Sequence, residues 1–203
     1  MALVSSYQGF IFDFGGVLVR HQTEADQARL AQAAGIPQPM FQKLYWAHRI
    51  DYDKGLVTAL EYWTGVAQSA GATLTAAAVE ELTELDVASW MQFDAVMWDW
   101  VAELRAAGRR VAMLSNMPWD LGQALRTRTK RFDSFDHVTL SYEVRSAKPE
   151  AAAFEHCLEG MGMPADQILF LDDRIDNVQG AELLGIRSIQ FTDRDEILLR
   201  VRS

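Results

Sequence analysis

From residue 94 onward the apolar positions alternate between helical and extended spacing. A helical pattern over residues 95–107 ends at Gly108, and the apolar run 110–114 follows it. The rhythm then repeats. A helix over 121–128 leads to a weak strand at 138–140, and a helix over 150–159 leads to the clearest strand, 168–171. A last helix, 178–184, closes at Gly185 before a final strand at 186–191. One more apolar run, Gly9–Phe12, precedes them all. Uninterrupted apolar strands suit a parallel sheet covered on both faces. Their alternation with helices implies connections that place helices on the two sides of such a sheet.

Between the first strand and residue 94 the pattern is different: residues 23–90 read as consecutive helices without a strand. Thr23 precedes the apolar positions Ala28, Leu30, Ala31 and Ala34, and Gly35 closes that helix. Pro39 opens a second, with Phe41, Leu44, Tyr45 and His48. Thr58 and Glu61 have the spacing of a capping box, in which each side chain satisfies the other residue's backbone donor. The helix they start is expected to end near Gly71, and Thr75 begins another through Val79, Leu82 and Leu85. This stretch is too long for a simple crossover. The expected architecture is a three-layer Rossmann-like α/β core with a parallel sheet, residues 1–19 and 93–203, carrying a small α-helical cap domain, residues 20–92.

A length of 203 residues accommodates one such domain and its insert, and 49% apolar with 23% charged residues supports a core without staples. Cys157 is the single cysteine, so no internal disulfide framework exists, which fits a reducing compartment and an expected cytoplasmic location. Residues 1–8 lack the pattern of a secretory leader. No apolar run approaches the roughly 20 residues of a membrane span. A net charge of −9 argues against nucleic acid as a partner, while a small anion can still be held in a locally positive pocket. Oligomeric state is left open.

The chemistry-bearing residues cluster at strand ends. Asp13 and the turn Phe14-Gly15-Gly16 follow the first strand. Ser115-Asn116 follow the second, Lys148 stands before Pro149 at a helix start, and Asp172-Asp173 follow the fourth strand. Each has a structural explanation alone, as a turn residue, a solvated lysine or a helix cap. Together, on one edge of a parallel sheet, they suit transfer of a phosphoryl group to the Asp13 carboxylate, which water then hydrolyses. Two anions must approach, so positive charge is required. Mg²⁺ held by Asp13 and an acid such as Asp173, with Lys148 as a point charge, would supply it. The Ser115 hydroxyl, the Asn116 amide and backbone N–H groups from Phe14 on would grip the phosphoryl oxygens. The four histidines, His21, His48, His137 and His156, lack metal-ligand spacing and read as structural or exposed.

Residues 10–18, Leu114-Ser115-Asn116, Ala147-Lys148-Pro149 and residues 169–173 resemble the four motifs of the haloacid dehalogenase-like hydrolase superfamily. The resemblance runs end to end and includes the helical insert. Residues 55–63 also resemble cap segments of the sugar-phosphatase and epoxide-hydrolase N-terminal-domain branch. By that resemblance Asp13 is the nucleophile, and Mg²⁺ is bound by Asp13, the Gly15 carbonyl and Asp173, with Asp172 close by. Phe14, Gly15, Ser115 and Asn116 would bind the phosphoryl group, and Lys148 would tie nucleophile to phosphate. The implied substrate is a small phosphorylated metabolite, with a sugar phosphate as one candidate and insert tryptophans available to stack on its ring.

One departure matters. Many phosphatases of this family carry a second aspartate two residues after the nucleophile, where this chain has Gly15, which cannot transfer a proton. The loss is expected to slow turnover or restrict it to good leaving groups, since general acid–base help is typically worth about 10²–10⁴-fold. Two alternatives follow: a 2-haloacid dehalogenase-type hydrolase, or a non-catalytic phosphate- or protein-binding member.

Overall fold

The computed structural model describes residues 6–202. The leader-like pattern sought over residues 1–8, and the outermost ends of the expected core domain, therefore lie partly outside the described residues. Five strands, β1 (Gly9–Phe12), β2 (Arg110–Ser115), β3 (His137–Leu140), β4 (Ile168–Asp172) and β5 (Arg187–Gln190), form one parallel sheet in the order β3-β2-β1-β4-β5. Each lies within two residues of its expected bounds. The chain runs outward from β1 to β3, then returns to the other side of β1 for β4 and β5. That reversal at β1/β4 is the kind of switch point outside which ligands bind in open parallel sheets.

Alternation along the strands assigns the two faces. Phe10, Phe12, Val111, Met113, Leu169 and Leu171 point to one side, into a core with Trp98 and Trp100 of α6 (Ala95–Ala106) and Leu125 of α7 (Trp119–Arg128). Ile197 and Val201 of a terminal helix, Arg194–Arg202, complete that face. Ile11, Ala112, Leu114, Ile168 and Phe170 point the other way, against Phe154, Cys157 and Met161 of the helix Ala151–Met161 and Ala181 of the helix Ile175–Glu182. Cys157 is fully buried and its thiol is pushed up to about 12 by burial, which makes it core filling.

Residues 24–89 form five helices: α1 (Glu24–Ala34), α2 (Gln38–Ala47), α3 (Arg49–Asp53), α4 (Ala59–Ser69) and α5 (Ala76–Ser89). Their apolar faces meet in a separate core built around Leu30, Phe41, Tyr45, Trp63, Val66 and Leu82. Thr58 and Glu61 form the expected capping box, and Thr75 caps α5. A second box, Thr23 with Asp26, caps α1. Two strands of connecting chain join insert to sheet, and they are tied together: Val19 bridges Phe93 antiparallel, Arg20 N donates to Gln92 O at 2.9 Å, and Trp98 Nε1 donates to Leu18 O at 2.9 Å. We propose the expected division, 20–92 against the rest, as the domain boundary, with this paired neck as its hinge. No helix among the described residues is long and apolar enough to cross a membrane.

Candidate active site

The β1–β4 ladder continues one residue past Phe12, because Asp13 N donates to Leu171 O at 2.9 Å. Asp13 and Asp172 therefore leave the sheet side by side. Gly16, at φ 77, turns the chain back so that its N–H meets Val19 O at 2.8 Å. The positive φ is what demands glycine there, and a Cβ would in addition push on His21 Nε2 at 2.6 Å and Asp173 Oδ2 at 3.0 Å.

Lys148 binds the carboxylates together. Its Nζ lies 2.6 Å from Asp13 Oδ1 and 2.6 Å from Asp172 Oδ2, with all three side chains nearly sealed from solvent. Phe14 N donates to the same Asp13 Oδ1 at 2.7 Å, which fixes the carboxylate plane. Asp172 has both oxygens engaged: Oδ1 accepts from Arg174 N and Asn177 Nδ2, each at 2.9 Å, and Oδ2 accepts from Lys148. Asp173 instead faces the cavity, contacted by His21 Nε2 at 3.3 Å. The two adjacent aspartates thus occupy different environments, one anchoring the lysine and one open to a ligand.

Electrostatics follow from this arrangement. Burial, opposed by Lys148 and reinforced by Asp172 and Asp173, pushes the Asp13 carboxyl up to about 7. Burial works against the Lys148 ammonium, but the flanking Asp13 and Asp172 charges outweigh it and raise its pKa. Three carboxylates face one lysine, so the cluster is short of positive charge. Asp13, Asp172 and Asp173 each offer an oxygen within 4.8 Å of the others. The buried Asn177 Oδ1, in the same cavity wall, has no hydrogen-bond partner. An all-oxygen donor set with excess negative charge fits a hard divalent cation such as Mg²⁺.

These groups floor a cavity of about 650 Å³ between the strand ends and helices α2 and α3, within the range of small-molecule sites. Every sequence-expected site residue except the deeper Asp172 lines it. Asn116 differs from expectation in its immediate role. Its Oδ1 accepts from Lys148 N at 2.8 Å and its Nδ2 donates to Lys148 O at 2.9 Å, so the amide clamps the lysine backbone and has at most one hydrogen left for a ligand.

His21 is exposed, one of the two states expected of it, and it also lines the cavity: its Nε2 lies 3.3 Å from Asp173 Oδ2, and its pKa is raised first by that hydrogen bond. Its spacing of eight from Asp13 carries no recognisable signal, because the Gly16 turn rather than a helix or strand brings it home. Gly15 also gains an explanation. A Cβ on it would lie 3.2 Å from Trp90 Cζ3, so any side chain there would need the indole ring to give by a few tenths of an ångström.

Fold and site together define a Rossmann-like α/β domain whose candidate site lies at the strand ends beneath a helical insert. The chain belongs to the haloacid dehalogenase-like hydrolases, whose family model matches residues 7–185. It is 31% identical over 100 residues to a sesquiterpene phosphatase of Aspergillus oryzae, covering 49% of this chain and 51% of that one. The chain thus spans about half the length of that relative. A phosphatase of Mycobacterium tuberculosis is 25% identical over 189 residues, covering 90% of this chain and 86% of that one. Among solved structures, a HAD family enzyme of Bacteroides thetaiotaomicron in complex with magnesium and inorganic phosphate aligns with a TM-score of 0.73 and 22% identity, over 94% of this chain and 98% of that chain.

Proposed function

We propose that this protein is a Mg²⁺-dependent phosphatase that hydrolyses a small phosphomonoester through an aspartyl-phosphate on Asp13. The observation that carries the reading is the Lys148 ammonium held 2.6 Å from both Asp13 and Asp172, at the base of a ligand-sized cavity with Asp173 beside it. A carboxylate oxygen of Asp13 bonds to phosphorus while the bond to the leaving oxygen breaks, and that oxygen takes a proton from water. A water molecule then attacks phosphorus, the Asp13–phosphorus bond breaks, and inorganic phosphate departs with the carboxylate restored. Lys148 holds Asp13 in line for attack and offsets charge as the anions meet. The Ser115 hydroxyl and the backbone N–H groups of Phe14 and Gly15 would orient the phosphoryl oxygens. Asp13, the Gly15 carbonyl and Asp173 would hold Mg²⁺, with Asp172 behind them fixing the lysine. Bound there, the cation supplies charge neutralisation at the phosphoryl oxygens.

The relatives named as phosphatases, one of them for a sesquiterpene, support this reading. A metal-free displacement at carbon, as in haloacid dehalogenases, would bring an anionic haloacid onto three carboxylates balanced by one lysine, which disfavours it. Hydrolysis of p-nitrophenyl phosphate is expected to cease in EDTA and return with Mg²⁺. A single turnover in ¹⁸O-water is expected to place the label in phosphate and leave Asp13 unlabelled. Label in Asp13 would indicate water attack at the carboxyl carbon and refute the second step drawn at phosphorus. Undiminished turnover in EDTA would refute the metal assignment.

A further inference from the structure

The upper half of the cavity is built unlike its floor. Trp46 is the penultimate residue of α2 and Ile50 the second residue of the following α3, and both line the cavity. They are 50% and 45% exposed, although their neighbours Tyr45 and Tyr52 are buried in the insert's aromatic core. Trp46 meets Tyr45 edge-on at 4.9 Å and Trp90 edge-on at 6.4 Å, so its ring is held in place. Trp90 in turn lies against Gly15, directly beside the Asp13 turn. An apolar wall therefore begins where a leaving group would sit and extends away from the phosphoryl site.

The polar side chains in that wall are engaged elsewhere. Arg49 donates from Nε to Asp53 Oδ1 at 2.7 Å and from Nη1 to Asp86 Oδ2 at 2.8 Å, so its charge is met by two buried carboxylates. The Trp90 indole N–H donates to Tyr45 Oη at 3.2 Å, and that hydroxyl donates to Asp86 Oδ1 at 2.6 Å. At the rim Arg174 and Asp176 pair with each other at 2.7 Å. Hydroxyl groups carried into this space would lose water without gaining partners, which is unfavourable. The basic side chains lining the cavity above its floor, Arg49, Arg174 and His21, each already face a carboxylate, so a second anionic group would have to compete with those carboxylates.

We propose that the organic part of the substrate is a hydrocarbon chain or ring seated on Trp46, Ile50 and Trp90, and that polyhydroxylated sugar phosphates are poor substrates. The proposal rests on the phosphatase reading and adds the substrate class. The test is a ladder of ethyl, butyl, hexyl and octyl phosphates, each below its micelle concentration, with Mg²⁺ and released phosphate as readout. All four share a primary alkoxide leaving group, so intrinsic reactivity is constant. kcat/KM is expected to rise about threefold to fourfold per methylene over the first steps, reaching at least about 100-fold from ethyl to octyl. Glucose 6-phosphate and glycerol 3-phosphate are expected to match ethyl phosphate at best. Trp46→Ser and, separately, Ile50→Ser, both at half-exposed positions, are expected to cut the octyl-to-ethyl ratio by about tenfold, the equivalent of roughly two methylenes. A flat ladder, an unchanged ratio in both variants, or a preference for glucose 6-phosphate over octyl phosphate overturns the proposal while p-nitrophenyl phosphate turnover keeps the phosphatase reading intact. No turnover of any ester, p-nitrophenyl phosphate included, overturns both.

Discussion

Asp13→Asn is expected to lower kcat for p-nitrophenyl phosphate by at least about 10⁴-fold, the scale on which removal of a covalent nucleophile acts. Asparagine matches the carboxylate in shape and can still accept the Phe14 N–H now bonded to Oδ1 at 2.7 Å. What it lacks is the charge that attacks phosphorus. The loss should not come from unfolding. Lys148 keeps Asp172 as a partner, and the amide removes a carboxylate that burial disfavours in its charged form. The pH dependence checks this independently. The folded pKa of Asp13 is raised from 3.8 to about 7, so between those values the folded state holds more proton than the unfolded one. Its contribution to stability is present below pH 3.8 and is lost as pH rises through about 7. Asparagine has no such loss, so in EDTA the variant's melting temperature should gain on the wild type from pH 5 to pH 8. Retained turnover in Asp13→Asn would remove the covalent mechanism. An inert wild type across a panel of phosphate esters would instead favour a binding protein.

The centre of the sheet was legible because β1 and β4 are apolar nearly throughout, as Ile168–Asp172 shows with five buried residues in a row, whereas the edge strands β3 and β5 mix polar and apolar positions. Such runs need no partner to be recognised. The terminal helix Arg194–Arg202 went unread because its buried residues, Ile197, Leu198 and Val201, are outnumbered by charges and show only one turn of periodicity. At the site, position in the chain foretold which residues meet at the strand ends but not how they divide the work. Asp172 and Asp173 are adjacent in sequence and look equivalent there. The direction in which each leaves β4 makes one a buried anchor for Lys148 and the other a cavity-facing carboxylate. Asn116 likewise read as a ligand group until the return of residue 148 placed a backbone N–H and carbonyl against it. Trp90 and the Arg49 network are long-range products of the insert's own folding, and no local spacing announces them.

Lys148→Met is expected to cost about 3–5 kcal/mol of folding stability, the range for removing one partner of a buried ion pair, as well as nearly all activity. Methionine keeps the length of the lysine stem, and the ammonium it replaces sits 5.5 Å from the Phe170 ring, so packing changes little. The Asn116 clamp holds the backbone of residue 148 and survives the change. The cost therefore isolates the charge: Asp13 and Asp172 would face each other buried with no cation between them. Asp172→Asn should relieve part of that repulsion, so the double variant is expected to be more stable than Lys148→Met alone, although each single change destabilises the wild type. Urea denaturation in EDTA of the four proteins gives the coupling energy directly, and residues in direct contact of this kind typically couple by about 0.5–3 kcal/mol. Strictly additive effects would mean that Lys148 does not bridge the two carboxylates in solution. In that case the positive charge invoked for phosphoryl transfer would have to come from elsewhere in the cavity. Recovery of stability without recovery of turnover is the expected pattern, because an asparagine at 172 repairs the buried charge but restores no ammonium beside the nucleophile.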